Sequence, residues 1–232
     1  MSQISNISYL EFLTNSGISC FIQDKPNNYY KTTFNKISEV DNIEDLEIFI
    51  KNSNVCDLKK TSNSTIVWDK DGNDKANIML IGKSPEFEED KIGKPFIGEV
   101  GLLLNKMLKA INLNRDDLYI TNIIPWRTPD NRSLDNNEIL ECLPFIQRQI
   151  EIVNPKVILL LGSEAAKVIL NSNLNITNLR EKWHKYKSIN LSGSILCLVT
   201  HHPNSLLKSP NLKKQAWEDL KILQKKILDE NL

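Results

Sequence analysis

The chain has 232 residues, with 29 Lys+Arg against 29 Asp+Glu and a formal net charge of zero. That length fits one globular domain with a sizeable core and a short appendage. The charge balance excludes a globally basic nucleic-acid binder and leaves room only for a local basic face. No apolar stretch approaches the roughly 20 residues of a membrane span. The first residues, Met1-Ser2-Gln3-Ile4-Ser5-Asn6, carry neither a charged nor an apolar leader segment, so a cytoplasmic protein is expected. The four cysteines, Cys20, Cys56, Cys142 and Cys197, form no Cys-x-x-Cys pair and are expected as ordinary thiols.

In chain order, residues 1 to 52 are polar with two short helical patterns, Tyr9/Leu10/Leu13 and Ile43/Leu46/Phe49/Ile50. They read as an N-terminal helical extension to a domain covering 53–232. Asn77 to Ile81 is a buried strand. Val100, Leu104, Met107, Leu108 and Ile111 then recur at helical spacing. Leu118 to Ile124 is a second strand. Glu138 to Val153 is a helix stopped by Asn154-Pro155. Val157 to Leu161 is a third strand, and Ser163 is placed to cap the next helix. Ile195 to Val199 is a fourth strand, and Lys213 to Leu228 closes the chain as a helix. Four apolar strands separated by helical patterns imply an α/β fold, a three-layer α/β/α sandwich around a four-stranded parallel sheet.

Ligands of such sheets bind outside the carboxyl ends of the strands. Polar candidates collect there: Gly82-Lys83-Ser84-Pro85-Glu86 after strand one, Asn122 at the end of strand two, Gly162-Ser163 after strand three and His201-His202-Pro203 after strand four. Downstream of the first lies Gly93-Lys94-Pro95-Phe96-Ile97-Gly98. After the second comes Arg127-Thr128-Pro129-Asp130-Asn131-Arg132. Leu206-Leu207-Lys208 follows the last.

In order and spacing these segments resemble the uracil-DNA glycosylase superfamily, in its family 4-like branch, over about residues 53 to 228. The resemblance implies excision of uracil from DNA after the base has been rotated out of the stack. By the same resemblance, Gly82, Ser84, Phe96, Asn122 and His202 form the uracil pocket. Phe96 stacks on the ring, the Asn122 amide reads the O4 and N3–H edge, and His202 stabilises the departing anion through O2. Arg127, Asn131, Arg132 and Lys208 are expected on the DNA backbone, with Leu206 and Leu207 as the wedge into the duplex. Lys91, Lys94, Arg180, Lys182 and Lys213 are candidates for an extended basic face. His184 is read as a surface residue.

The chain departs from the family pattern in two places. Where the pattern has a Glu after the first Gly, this chain has Lys83, and Glu86 replaces the closing Gly. A protonated Lys offers no acceptor for water. The candidates for positioning it are therefore Ser84, backbone carbonyls, and Glu86 or Glu88, although the motif supports neither glutamate position. Lys83 is a catalytic candidate of changed chemistry, a covalent lyase-type amine. The four cysteine positions of the branch's 4Fe-4S cluster fall on Ser53, Cys56, Trp126 and Cys142, leaving two thiols. No cofactor and no metal are therefore expected, with Cys56 and Cys142 as remnants and Trp126 packing in place of a ligand. The expected partner is uracil-containing DNA, bound by a monomer. The alternative reading is a catalytically weakened module that binds uracil or DNA. A nucleotide hydrolase is disfavoured by the lack of a GxxxxGK[ST] loop.

Overall fold

The computed structural model describes residues 36–231. The Tyr9/Leu10/Leu13 pattern and Cys20 lie outside the described residues. The strands are β1 (Ile78–Gly82), β2 (Tyr119–Asn122), β3 (Val157–Leu161), β4 (His184–Lys187) and β5 (Ser194–Thr200). The helices that matter here are α1 (Ile43–Asn52), α2 (Leu58–Thr61), α3 (Phe87–Ile92), α4 (Gly98–Lys109), α5 (Asn136–Val153), α6 (Ser163–Ile169), α7 (Ile176–Leu179), α8 (Pro203–Lys208) and α9 (Lys213–Glu230).

The sheet runs β2-β1-β3-β5-β4. β1 pairs in parallel with β2 and β3, and β3 with β5, while β4 joins β5 antiparallel. The expected four parallel strands are present and a fifth extends the sheet at its edge. β4 reads His-Lys-Tyr-Lys, and only Tyr186 of the four is buried. So short and basic a segment gives no apolar run, and lysines are what an edge strand uses to discourage further pairing. His184 is thus a strand residue, half-buried, with Nε2 2.7 Å from the Leu179 carbonyl oxygen.

Every residue of β1, β2 and β3 is buried, as two-sided burial of parallel strands requires. Successive side chains point to opposite faces, and the core divides accordingly. Met79, Ile81, Ile158, Leu160, Cys197 and Val199 pack with α1, α5 and α6 residues such as Ile50, Phe145 and Ala165. Ile78, Leu80, Leu159, Leu161 and Leu198 pack with Leu104 and Leu108 of α4 and Leu220 and Leu223 of α9. This is the expected three-layer sandwich. Helix α1 falls within the segment assigned to an N-terminal extension, yet Ile43, Leu46 and Ile50 are buried in the first of these clusters.

Local chemistry explains the boundaries near the site. Asp135 caps α5 by accepting the Asn137 and Glu138 N–H groups, and Glu138 returns a bond to the cap. Asn154, at φ 46°, ends that helix before Pro155. The cap of α6 differs from expectation. Ser163 is its first helical residue, and the cap is Gly162 at φ 95°, with no side-chain cap bond. Glycine is needed there because a Cβ would sit in a left-handed backbone and 3.0 Å from the Cβ of His202. Register places Gly82 opposite Asn122 and Leu161 opposite Thr200. The parallel strands therefore deliver their carboxyl ends, and the candidate residues, to one edge of the sheet.

Candidate active site

A cleft of about 420 Å³ opens at that edge, lined among others by Lys83, Ser84, Glu86, Glu164, His202 and Asn204. Behind its lining, Phe96, Asn122 and Gly82 converge. A Cβ at position 82 would collide with Asn122 Oδ1 and come within 2.6 Å of Phe96 Cζ, so only glycine lets these two side chains meet over the strand end. The Phe96 ring lies 5.6 Å from the His202 ring, centre to centre, at 34°. The structure thus gathers Gly82, Phe96, Asn122 and His202, with Ser84 buried at the cleft wall.

Phe96 is held in a costly conformation. Its φ is 51°, a left-handed value that a bulky residue rarely adopts. Its N–H donates to Glu89 Oε1 at 2.8 Å, and its carbonyl accepts from Arg115 Nη1 at 2.9 Å. Arg115 also takes the Pro95 carbonyl and forms an ion pair with buried Asp69. The second Glu89 oxygen accepts the Glu86 N–H at 2.9 Å. Burial raises the Glu89 carboxyl to about pKa 7, against the pull of these two N–H bonds. Neither Glu89 nor Arg115 was assigned a role from sequence. Glu89 stands between the Gly82–Glu86 and Gly93–Gly98 segments, whereas Arg115 lies outside every motif and only the fold brings it to Phe96.

Asn122 is 2% exposed, and its Nδ2 finds no hydrogen-bond partner. A buried amide donor left open costs about 1–3 kcal/mol, which an acceptor on a bound ligand would recover. His202 caps α8, and its Nδ1 accepts the Asn204 N–H at 3.2 Å. An imidazole that accepts at Nδ1 carries its proton on Nε2 when neutral. Burial, then the positive charges of Lys83 and Lys208, lower its pKa to about 4, so it is neutral across the physiological range. The adjacent His201 is used differently: its Nε2 meets Gln215 Oε1 at 2.9 Å, beside the buried Arg180–Asp219 pair.

The candidates for DNA contact separate. Lys83 bridges Glu164, at 3.2 Å, and the Arg132 carbonyl, at 3.3 Å. Arg127 donates to Asn131 and lies 5.1 Å over the Phe87 ring. Arg132 is paired with Glu138. Lys208 is exposed and makes no ion pair among the described residues. Of the wedge pair, Leu207 is exposed, but Leu206 is 1% exposed and packs inward, which corrects its assignment to the duplex. Two members of the proposed basic face are also committed elsewhere. Arg180 is buried on Asp219 and Gln215, and Lys94 pairs with Asp69 and Asp71.

An aromatic face, an open amide and a neutral imidazole donor around one glycine are the elements of a pocket for a flat, hydrogen-bonding ring, at the ligand-binding edge of an α/β sheet. The comparisons with known proteins agree with that class. A family model described as "Uracil DNA glycosylase superfamily" matches residues 70–221. A type-4 uracil-DNA glycosylase of Sulfurisphaera tokodaii is 41% identical over 158 residues, 65% of this chain and 70% of that protein. Another, from Archaeoglobus fulgidus, is 34% identical over 78% of this chain and 92% of its own length. A third, from Thermotoga maritima, is 33% identical over 74% and 87%. The chain belongs to the uracil-DNA glycosylase superfamily, in its family 4-like branch.

The residues at the four cluster positions do not fit an iron–sulfur centre. Cys56 and Cys142 are buried in the same apolar cluster as Trp126. Trp126 is fully buried, donates its indole N–H to Thr65 at 3.0 Å and packs edge-on against Phe145. Ser53 Oγ accepts the Val55 N–H. A 4Fe-4S cube needs four thiolates. Among the described residues, no group of three or more Cys, His, Asp or Glu gathers that could hold a metal ion.

Proposed function

We propose that the chain is a monofunctional uracil-DNA glycosylase that hydrolyses the N-glycosidic bond of a flipped-out uracil and leaves an abasic site. The observation that carries this reading is the open Asn122 Nδ2 beside a His202 whose Nδ1 is already occupied. Uracil presents an acceptor at O4, a donor at N3 and an acceptor at O2. The Asn122 amide meets the first two, its Nδ2 donating to O4 and its Oδ1 accepting from N3–H. His202 Nε2–H donates to O2, and Phe96 covers the ring face.

As the bond from the sugar to N1 breaks, its electron pair moves onto the base and charge builds on O2. A fixed donor in a dry site stabilises that charge without reorganising. A neutral imidazole suits this role, since it strengthens its hydrogen bond as the anion forms and does not have to lose a proton. The positive charges of Lys83 and Lys208 favour the same anion. No step in this scheme passes through a metal or cluster.

Release of free uracil from uracil-containing single- and double-stranded DNA tests the proposal. His202→Ala is expected to slow excision by about 10²–10³-fold, the scale of one lost anion donor, and Asn122→Ala to remove most of the remaining selectivity. Tight binding of the same DNA without uracil release would make the chain a binding module and overturn the enzyme reading. The purified protein is also expected to show no visible charge-transfer absorbance. Iron at about four atoms per chain would overturn the reading of the Cys56/Trp126/Cys142 region.

A further inference from the structure

Hydrolysis needs an acceptor that holds and deprotonates the attacking water, and the residue facing the cleft after Gly82 is a lysine. Two carboxylates line the cleft, Glu86 and Glu164. Glu164 is engaged by Lys83 at 3.2 Å. Glu86 makes no ion pair among the described residues; it accepts from the side-chain amide of Asn204. The backbone N–H of that same Asn204 donates to His202 Nδ1 at 3.2 Å. Glu86 and His202 are therefore held by one residue, although they come from different elements, the caps of α3 and α8. The α3 cap is fixed a second time, because the Glu86 N–H is bound by Glu89, which also binds Phe96.

We propose that Glu86 is the carboxylate that holds the attacking water, and that Asn204 sets its distance from His202. This rests on the glycosylase reading above. The Glu86 carboxylate accepts from the Asn204 amide and takes part in the α3 capping box with the Glu89 N–H. Its two oxygens offer about four lone-pair sites, which leaves acceptor capacity for a water in the cleft. In the step, the bond between the sugar's anomeric carbon and uracil N1 breaks and its electron pair leaves with uracil. The water oxygen then forms the new bond to the same carbon. Its proton passes to the Glu86 carboxylate and from there to solvent. Two carboxylate roles of this kind are general to glycoside hydrolysis; here the leaving group is an anion already stabilised by His202, so one carboxylate suffices.

Glu86→Gln keeps an oxygen for the Asn204 amide and removes the base. The expected result is a fall of about 10²-fold or more in single-turnover excision, with KM for uracil-DNA within about two-fold of the wild type. Asn204→Ala keeps the carboxylate and the backbone N–H to His202 but removes the amide bond to Glu86. It should therefore lower the rate less than Glu86→Gln while leaving the His202 tautomer seen by ¹⁵N NMR unchanged. Glu86→Asp, which restores a carboxylate on a shorter arm, should recover part of the loss. If Glu86→Gln excises uracil as fast as an active wild type, the proposal is overturned. It is likewise overturned if the loss appears in Glu164→Gln instead. A wild type that releases no uracil at all fails the glycosylase reading itself, before Glu86 is tested.

Discussion

His202 shows how a single side chain can be prepared by its surroundings. The Asn204 N–H occupies Nδ1, and burial together with Lys83 and Lys208 brings the pKa from 6.5 to about 4. The sign of the stability effect follows from linkage. Between pH 6.5 and 4 the unfolded imidazole takes up a proton and the folded one does not. Full stability from this group is therefore present above pH 6.5 and is lost as pH falls through that window. Glu89 acts oppositely, since its raised pKa of about 7 makes the folded state bind the proton first, from pH 7 down to 4.5. Comparison with His202→Ala isolates the histidine: the urea midpoint of the wild type should fall more between pH 7 and 5 than that of the variant. Imidazole ¹⁵N spectra should show the neutral Nε2–H form throughout that range. A His202 that titrates near 6.5 would remove the neutral-donor mechanism.

Among the elements, α8 does two jobs with adjacent residues. Pro203 at its first position fixes the chain after the His202 cap, where no N–H is needed. Leu206 then points inward and Leu207 outward. Leu206→Ala should cost about 2–5 kcal/mol of stability, the range for a buried leucine, measured by chemical denaturation. Leu207→Ala should change stability by about 0.5 kcal/mol or less and slow excision from duplex more than from single-stranded DNA, since only a duplex resists base flipping. Equal effects on both substrates would leave Leu207 without a wedge role. The Leu206-Leu207 pair looks symmetrical in sequence. A six-residue helix carries no periodic pattern long enough to say which face is buried, so the assignment of both to DNA failed at Leu206 for lack of that signal. The strands were legible because two-sided burial writes an unbroken apolar run, whereas β4, with one buried tyrosine between lysines, writes none. At the strand ends, Gly82, Phe96, Asn122 and His202 were legible through their motifs. Arg115, Glu89 and Asn204 were not, because each acts through contacts that only the folded chain makes.

Across the whole molecule, zero net charge means that long-range attraction to DNA is weak, and affinity has to come from cations placed at the cleft. The structure ties up four of the candidates in ion pairs. Arg180 is buried on Asp219, Lys94 is bound to Asp69 and Asp71, Arg132 is paired with Glu138, and Lys83 is shared with Glu164. Lys208 remains at the cleft, exposed and without an ion pair among the described residues, next to Leu207. Each phosphate neutralised on duplex DNA contributes about −0.9 to the slope of log K against log salt. Lys208→Ala should therefore flatten that slope by about one phosphate and weaken binding nearly equally for all sequences. Lys94→Ala, which removes a cation already held by two aspartates, should leave the slope unchanged. Binding of a uracil-containing duplex titrated over a range of salt concentrations measures both. An unaltered slope in Lys208→Ala, or a flattened one in Lys94→Ala, would mean that the ion pairs of the free protein rearrange on DNA and that cations now held by carboxylates become the phosphate contacts.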